Sequence, residues 1–300
     1  MTALSRRQSL ALLPGVLLAI QASRATPVLA ATPLNVVAAE NFYGDIAATL
    51  GGPLVSVTSI LSDPNQDPHL FEASPSVATA LAKADLAIEN GVGYDPWMAR
   101  LLAASQAPTR RVIDVGALVG AKEGDNPHIW YDPRTARRLA ETLREAFSGS
   151  RPEARADLDA RAGRFTAGLD RLEARIAALR PKVAGMPVTA TEPVLGHLFA
   201  RLGLEVRNER FQWAVMNDTE PSAADVAAFE DDLRHHRVRL LVYNAQATEP
   251  IAARMRDIAR EAGIPVVGAY ETEPPKTSYL DWIGTTLAAL QKALLGEGKG

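Results

Sequence analysis

From Pro152 to about Val183 the chain carries no strand signal, little glycine and dense charge, and a single apolar stripe runs through it. Leu158, Phe165, Leu169, Leu172, Ile176 and Leu179 recur mostly at steps of three and four residues, the spacing that lines up side chains on one face of an α-helix. A helix of that length, rising ~1.5 Å per residue, runs on the order of 45 Å, about a whole domain diameter. Such a segment is a rod, unlike the flexible linkers found at ordinary domain boundaries. The alternative is a two-helix hairpin broken near Gly163 or Gly168.

On both sides of this rod, short β-branched runs alternate with longer stretches of helical spacing. The strands expected before it are Asn35–Ala38, Leu54–Ile60, Leu86–Glu89 and Val112–Val115; those after it are Pro187–Ala190, Leu240–Asn244 and Val266–Gly268. Pro133–Phe147, Ala223–His235 and Pro250–Ala262 have helical spacing, and Ser74-Pro75 reads as a helix start with serine as N-cap. Alternating strand and helix implies parallel sheets covered by helices. For 300 residues the expectation is an α/β fold of two lobes, residues 31–150 and 184–300, joined by the long helix over 151–183.

Residues 1–30 have the make-up of an export signal. Arg6-Arg7 precedes an apolar run from Leu10 to Ile20, and small residues follow to Ala30-Ala31. Ser5-Arg6-Arg7-Gln8-Ser9-Leu10 resembles a twin-arginine signal, although an aromatic residue is usual where Ser9 stands; a Sec signal with two arginines is the other reading. Cleavage is expected near Ala30, leaving a periplasmic protein. Three of the 32 basic residues lie in this leader and none of the 35 acidic ones, so the formal charge falls from −3 to −6 on its removal. An acidic surface argues against nucleic acid and anionic membranes as partners. The sequence has no cysteine, which excludes a disulfide framework, thiolate metal ligands and a lipid-anchor cysteine. Any metal here is held by His, Asp, Glu, Asn or water.

Two of the five histidines share one local setting: Asp67-Pro68-His69 and Asn126-Pro127-His128. Proline fixes its own φ and pushes the preceding residue toward extended geometry, so each imidazole projects from a stiff loop. Helix starts follow both, at Ser74-Pro75 and Asp132-Pro133. Imidazole is the commonest metal ligand, and two with matching flanks point to one shared ion.

Asp67-Pro68-His69 with Ser74-Pro75-Ser76, together with Asn126-Pro127-His128-Ile129-Trp130-Tyr131-Asp132-Pro133, resembles the metal-binding solute-binding proteins of zinc and manganese ABC importers (cluster A-I). That resemblance implies two α/β lobes joined by one long helix, with the metal in the cleft between them. It also implies two ligands from the C-terminal lobe. Glu192 stands at the third position, just after Pro187–Ala190. The fourth, usually Asp, falls on Glu271 or Glu273 after Ile264-Pro265, and spacing favours Glu273. The expected set is therefore His69, His128, Glu192 and Glu273, with Glu271 a solvated or supporting carboxylate. His197 is expected one turn into a helix, supporting the site or packing, with a further nitrogen ligand as the alternative. His235-His236 reads as a solvated helix cap, and Asn244 and Gln246 as strand-end residues that either orient ligands by hydrogen bonds or simply cap the strand.

Two imidazoles and two carboxylates form a mixed N/O shell. Oxygen donors suit Mn2+ or iron(II), while Zn2+ has the higher intrinsic affinity. The family's zinc importers often carry a long His- and Asp-rich loop, and the stretch Ala121–Asp125 before the second motif is short. The function implied is capture of a divalent transition metal as cargo by a monomer, with delivery to an ABC importer permease. A periplasmic metal chaperone and a zinc-dependent hydrolase are the alternatives; no His-Glu-x-x-His motif occurs to support the latter.

Overall fold

A computed structural model describes residues 32–64, 71–105, 107–247 and 249–296. The leader and its cleavage site lie outside these residues, and so does His69. The first sheet comprises β1 (Leu34–Glu40), β2 (Val55–Leu61), β3 (Leu86–Glu89) and β4 (Arg111–Asp114) in the order β2-β1-β3-β4, every pair parallel. The second comprises β5 (Pro187–Ala190), β6 (Glu205–Arg207), β7 (Leu241–Asn244) and β8 (Val266–Ala269) in the order β6-β5-β7-β8, again all parallel. The same strand order thus occurs twice. β6 has no counterpart among the expected strands, because its three residues include a charge at each end and leave no alternation to detect.

Parallel strands need crossovers. In the first half these are α1 (Asn41–Gly51), α2 (Pro75–Ala82) and α3 (Pro96–Ala104), with α4 (Val115–Val119) and α5 (Pro133–Ser150) following β4. The rod is one helix, α6 (Arg155–Val183), of 29 residues. In the second half come α7 (Gly196–Leu202), α8 (Glu209–Met216), α9 (Ala223–Arg234), α10 (Pro250–Glu261) and α11 (Tyr279–Leu295). Ser74 occupies the N-cap position of α2, but its hydroxyl pairs with that of Ser76 at 2.7 Å instead of capping the backbone. Asp132 does cap α5, accepting from Arg134 N at 3.0 Å.

Strand β1 shows why both faces of the sheet must be covered. Val36 and Ala38 join the main core, while Val37 and Ala39 join a second cluster with Leu81, Trp97 and Met98 on the other face. The main core is continuous across the molecule: Phe42 and Trp130 from the first half meet Phe165 and Leu169 of α6 and Tyr279 and Trp282 of α11. Helix α11 returns to the first half, with Trp282 5.7 Å from Phe42 and 5.2 Å from Tyr131 between ring centroids. Two sheets fused through one apolar core resist wide hinge opening, because separating them would expose these rings to water.

Candidate metal centre

The carboxyl ends of parallel strands are where α/β folds place ligands, and both sheets contribute there. His128 sits in the loop entering α5, completely buried. Its Nδ1 lies 2.7 Å from Asn126 Oδ1, which also accepts from the His128 backbone N–H at 3.0 Å. The Asn126 amide nitrogen donates to Pro193 O at 2.7 Å, and this fixes which end of the amide faces the imidazole. An amide oxygen only accepts, so Nδ1 carries the proton and the lone pair of a neutral ring is on Nε2. That Nε2 points across to Glu271 Oε2 at 3.2 Å, both side chains fully buried.

From the second sheet, Glu192 follows the end of β5 and Glu271 the end of β8. Asn244, the last residue of β7, links them: its Nδ2 lies 3.2 Å from Glu192 Oε2 and 2.5 Å from Glu271 Oε1. Gln246 holds the loop behind them, its Oε1 accepting from Glu271 N at 2.6 Å and Thr272 N at 3.1 Å. Asn244 and Gln246 therefore orient carboxylates by hydrogen bonds. Burial together with the nearby Glu271 carboxyl pushes the Tyr94 phenol well above the ordinary range, so its hydroxyl keeps its proton beside that carboxyl. Tyr94 is a site residue missed in the sequence. The signal for it was the glycine-flanked turn Gly91-Val92-Gly93 after β3, in which even the β-branched Val92 takes a left-handed φ of 57°.

Glu273 stands elsewhere. Its backbone pairs with the Asn41 side chain, and its buried carboxyl is pushed up to about 9 by burial and by Asp45. Among the described residues, no hydrogen bond joins its carboxyl to His128, Glu192 or Asn244. His197 Nε2 donates to Asn126 O at 2.8 Å, which supports the His128 loop from behind. His235 is the C-cap of α9, its Nδ1 3.0 Å from Asp231 O, exposed to solvent as a cap should be. His128, Glu192 and Glu271 are thus brought together through Asn244, with His69 outside the described residues.

The arrangement suits a cation. Nε2 and Oε2 are both acceptors when His128 is neutral and Glu271 ionised, and facing each other they repel. A metal ion bound to each at about 2.0–2.2 Å would hold the two atoms about 3 Å apart, near the separation seen. Buried carboxylates are otherwise costly unless paired or coordinated.

Residues 36–293 match the profile of the family described as zinc-uptake complex component A, periplasmic. A Thermotoga maritima protein named for metal binding is 29% identical over 191 residues, 57% of this chain and 66% of that protein. The manganese-binding lipoprotein MntA of Halalkalibacterium halodurans is 27% identical over 145 residues, 47% of each chain; the chain thus spans less than two thirds of either relative. The iron-binding protein YfeA of Yersinia pestis is 21% identical, with 87% of this chain and 86% of that protein covered. Among solved structures, the periplasmic zinc-binding protein TroA of Treponema pallidum superposes with a TM-score of 0.74 at 18% identity, covering 87% of this chain and 99% of that one.

Proposed function

This chain belongs to the family of the periplasmic component A of the zinc-uptake complex, and on that premise we propose that it captures a divalent transition-metal ion outside the cytoplasm and delivers it to the permease of an ABC importer. The family is one of solute-binding proteins, not of enzymes. The observation that carries the reading is the pair of acceptors 3.2 Å apart, His128 Nε2 and Glu271 Oε2, with the imidazole proton committed to Asn126 on the other side.

The ligand set we propose is His69, His128, Glu192 and Glu271. Glu271 replaces Glu273, the choice favoured by spacing, because Glu271 faces His128 and Asn244 whereas the backbone of Glu273 is tied to Asn41. Two neutral imidazoles and two carboxylates neutralise a divalent cation, so loading leaves no net charge buried at the site. Oxygen donors favour manganese or iron(II), and zinc competes through its higher intrinsic affinity. The relatives carry manganese, zinc and iron in their names and do not select among them. Among the described residues no helix is long and apolar enough to cross a membrane.

The test is elemental analysis of the purified protein followed by competition titration with manganese and zinc. Binding of one ion per chain, lost in His128→Ala and His69→Ala, is the expected result. Unchanged binding in both variants would reject the site. Metal should also raise the melting temperature increasingly as its free concentration exceeds Kd.

A further inference from the structure

Helix α1 starts at Asn41, immediately after β1, and the side chain of this first residue reaches the far half of the molecule. Its Nδ2 donates to Glu273 O at 2.8 Å and its Oδ1 accepts from Glu273 N at 2.9 Å, across 232 residues of sequence. A carboxamide makes both bonds at once, since it offers a donor and an acceptor side by side, whereas an ionised carboxylate only accepts. Three residues earlier in the same loop, Tyr270 O accepts from the hydroxyl of Tyr131 at 2.7 Å. One helical turn after Asn41, Asp45 Oδ2 accepts from Tyr279 N at 2.9 Å, at the start of α11. Glu271 therefore sits on a loop pinned on both sides by residues of the first half. Gln246, from the second half, holds it from behind.

We propose that Asn41 is a positioning residue for metal retention: its amide locks the 270–273 loop against the first half, so that Glu271 can leave the cation only when these two bonds break. The inference rests on the metal-capture reading and assigns it a release step. With the two sheets fused through one core, the loop is the element whose outward swing removes a ligand without exposing buried rings. Its freedom is set by Asn41 on one side and Tyr131 on the other. A ligand held in place loses little conformational freedom on binding, which favours slow dissociation.

The experiment measures dissociation of zinc and of manganese into excess chelator, with equilibrium affinity by competition, on the full exported chain. Asn41→Ala should raise the dissociation rate about 10-fold, the scale expected for two net hydrogen bonds. Asn41→Asp keeps the acceptor for Glu273 N but sets a carboxylate against Glu273 O; it should release metal faster too, and it covers the case in which the alanine variant fails to fold. The readout that a merely structural role would not move is the double-mutant cycle with Glu271→Gln. In that background Asn41→Ala should add little, because the ligand it positions is already impaired. Unchanged release in Asn41→Asp, or effects fully additive with Glu271→Gln, would overturn the proposal. Should the wild-type chain bind neither ion, the capture reading itself falls; wild-type binding weakened by Glu271→Gln but indifferent to Asn41 would sink only the positioning role.

Discussion

Asn126 holds the imidazole of His128 by its Nδ1, at 2.7 Å, while its amide nitrogen reaches across to Pro193 in the second half of the molecule. One side chain thereby fixes a tautomer and bridges the cleft. Partners of this kind orient a metal-binding histidine and raise its basicity.

Replacing Asn126 by alanine should therefore weaken metal binding about 10- to 100-fold, the range seen when such supporting partners are lost. Asn126→Asp preserves the acceptor for Nδ1 and should fall between the two. Calorimetric titration with zinc would check this, and an alanine variant of wild-type affinity would remove Asn126 from the site.

The two C-terminal glutamates should separate cleanly. Glu271→Ala is expected to abolish tight binding. Glu273→Gln should retain it, because Glu273 touches the site only through its backbone and its carboxyl is pushed to about 9, so that it is already neutral near pH 7. Side-by-side metal competition on the two variants decides; the opposite ranking would restore Glu273 as the ligand.

Two glycines in α6 should respond in opposite directions. A Cβ on Gly168 would clash with Cδ1 of the half-buried Leu280, so Gly168→Ala forces that side chain to shift at the seam between α6 and α11; the expected net loss is about 1 kcal/mol. Gly163 is exposed and a Cβ there meets nothing within 4 Å. Gly163→Ala should stabilise by about 0.5–1 kcal/mol through helix propensity alone. Thermal or urea unfolding reads both.

Stability of the metal-free protein should depend on Glu89, at the end of β3. Burial, then the neighbouring carboxyls of Asp95 and Asp114, push it from 4.5 up to about 7. Below about 4.5 it is protonated both folded and unfolded. Between about 4.5 and about 7 the unfolded chain releases the proton while the folded one keeps it, so its contribution to stability falls as pH rises and then levels off. Glu89→Gln should flatten that part of the pH profile measured in chelator. Identical profiles for the two proteins would show that Glu89 titrates normally.

Much of this architecture was legible locally. The apolar steps from Leu158 to Leu179 specify one rod, since a helix face is set by neighbours three and four residues away, and Gly163 and Gly168 do not interrupt it. The alternation of β-branched runs and helices specifies parallel sheets for the same reason. The proline-stiffened loop of His128 and the place of Glu192 after β5 were also visible, because each depends on a strand end and its next few residues.

Local sequence thus specified every strand but β6, the long helix and the residue types near strand ends: the imidazole of His128 on its proline-stiffened loop and carboxylates after β5 and β8. The tertiary structure decided which carboxylate faces His128. Glu271 and Glu273 differ by two residues in one irregular loop, where no periodicity assigns a side. That choice is made by contacts with Asn244, 27 residues from Glu271, and with Asn41, 232 residues from Glu273. Hydrogen bonds over such separations depend on how the two halves pack, and only the folded chain brings their partners together.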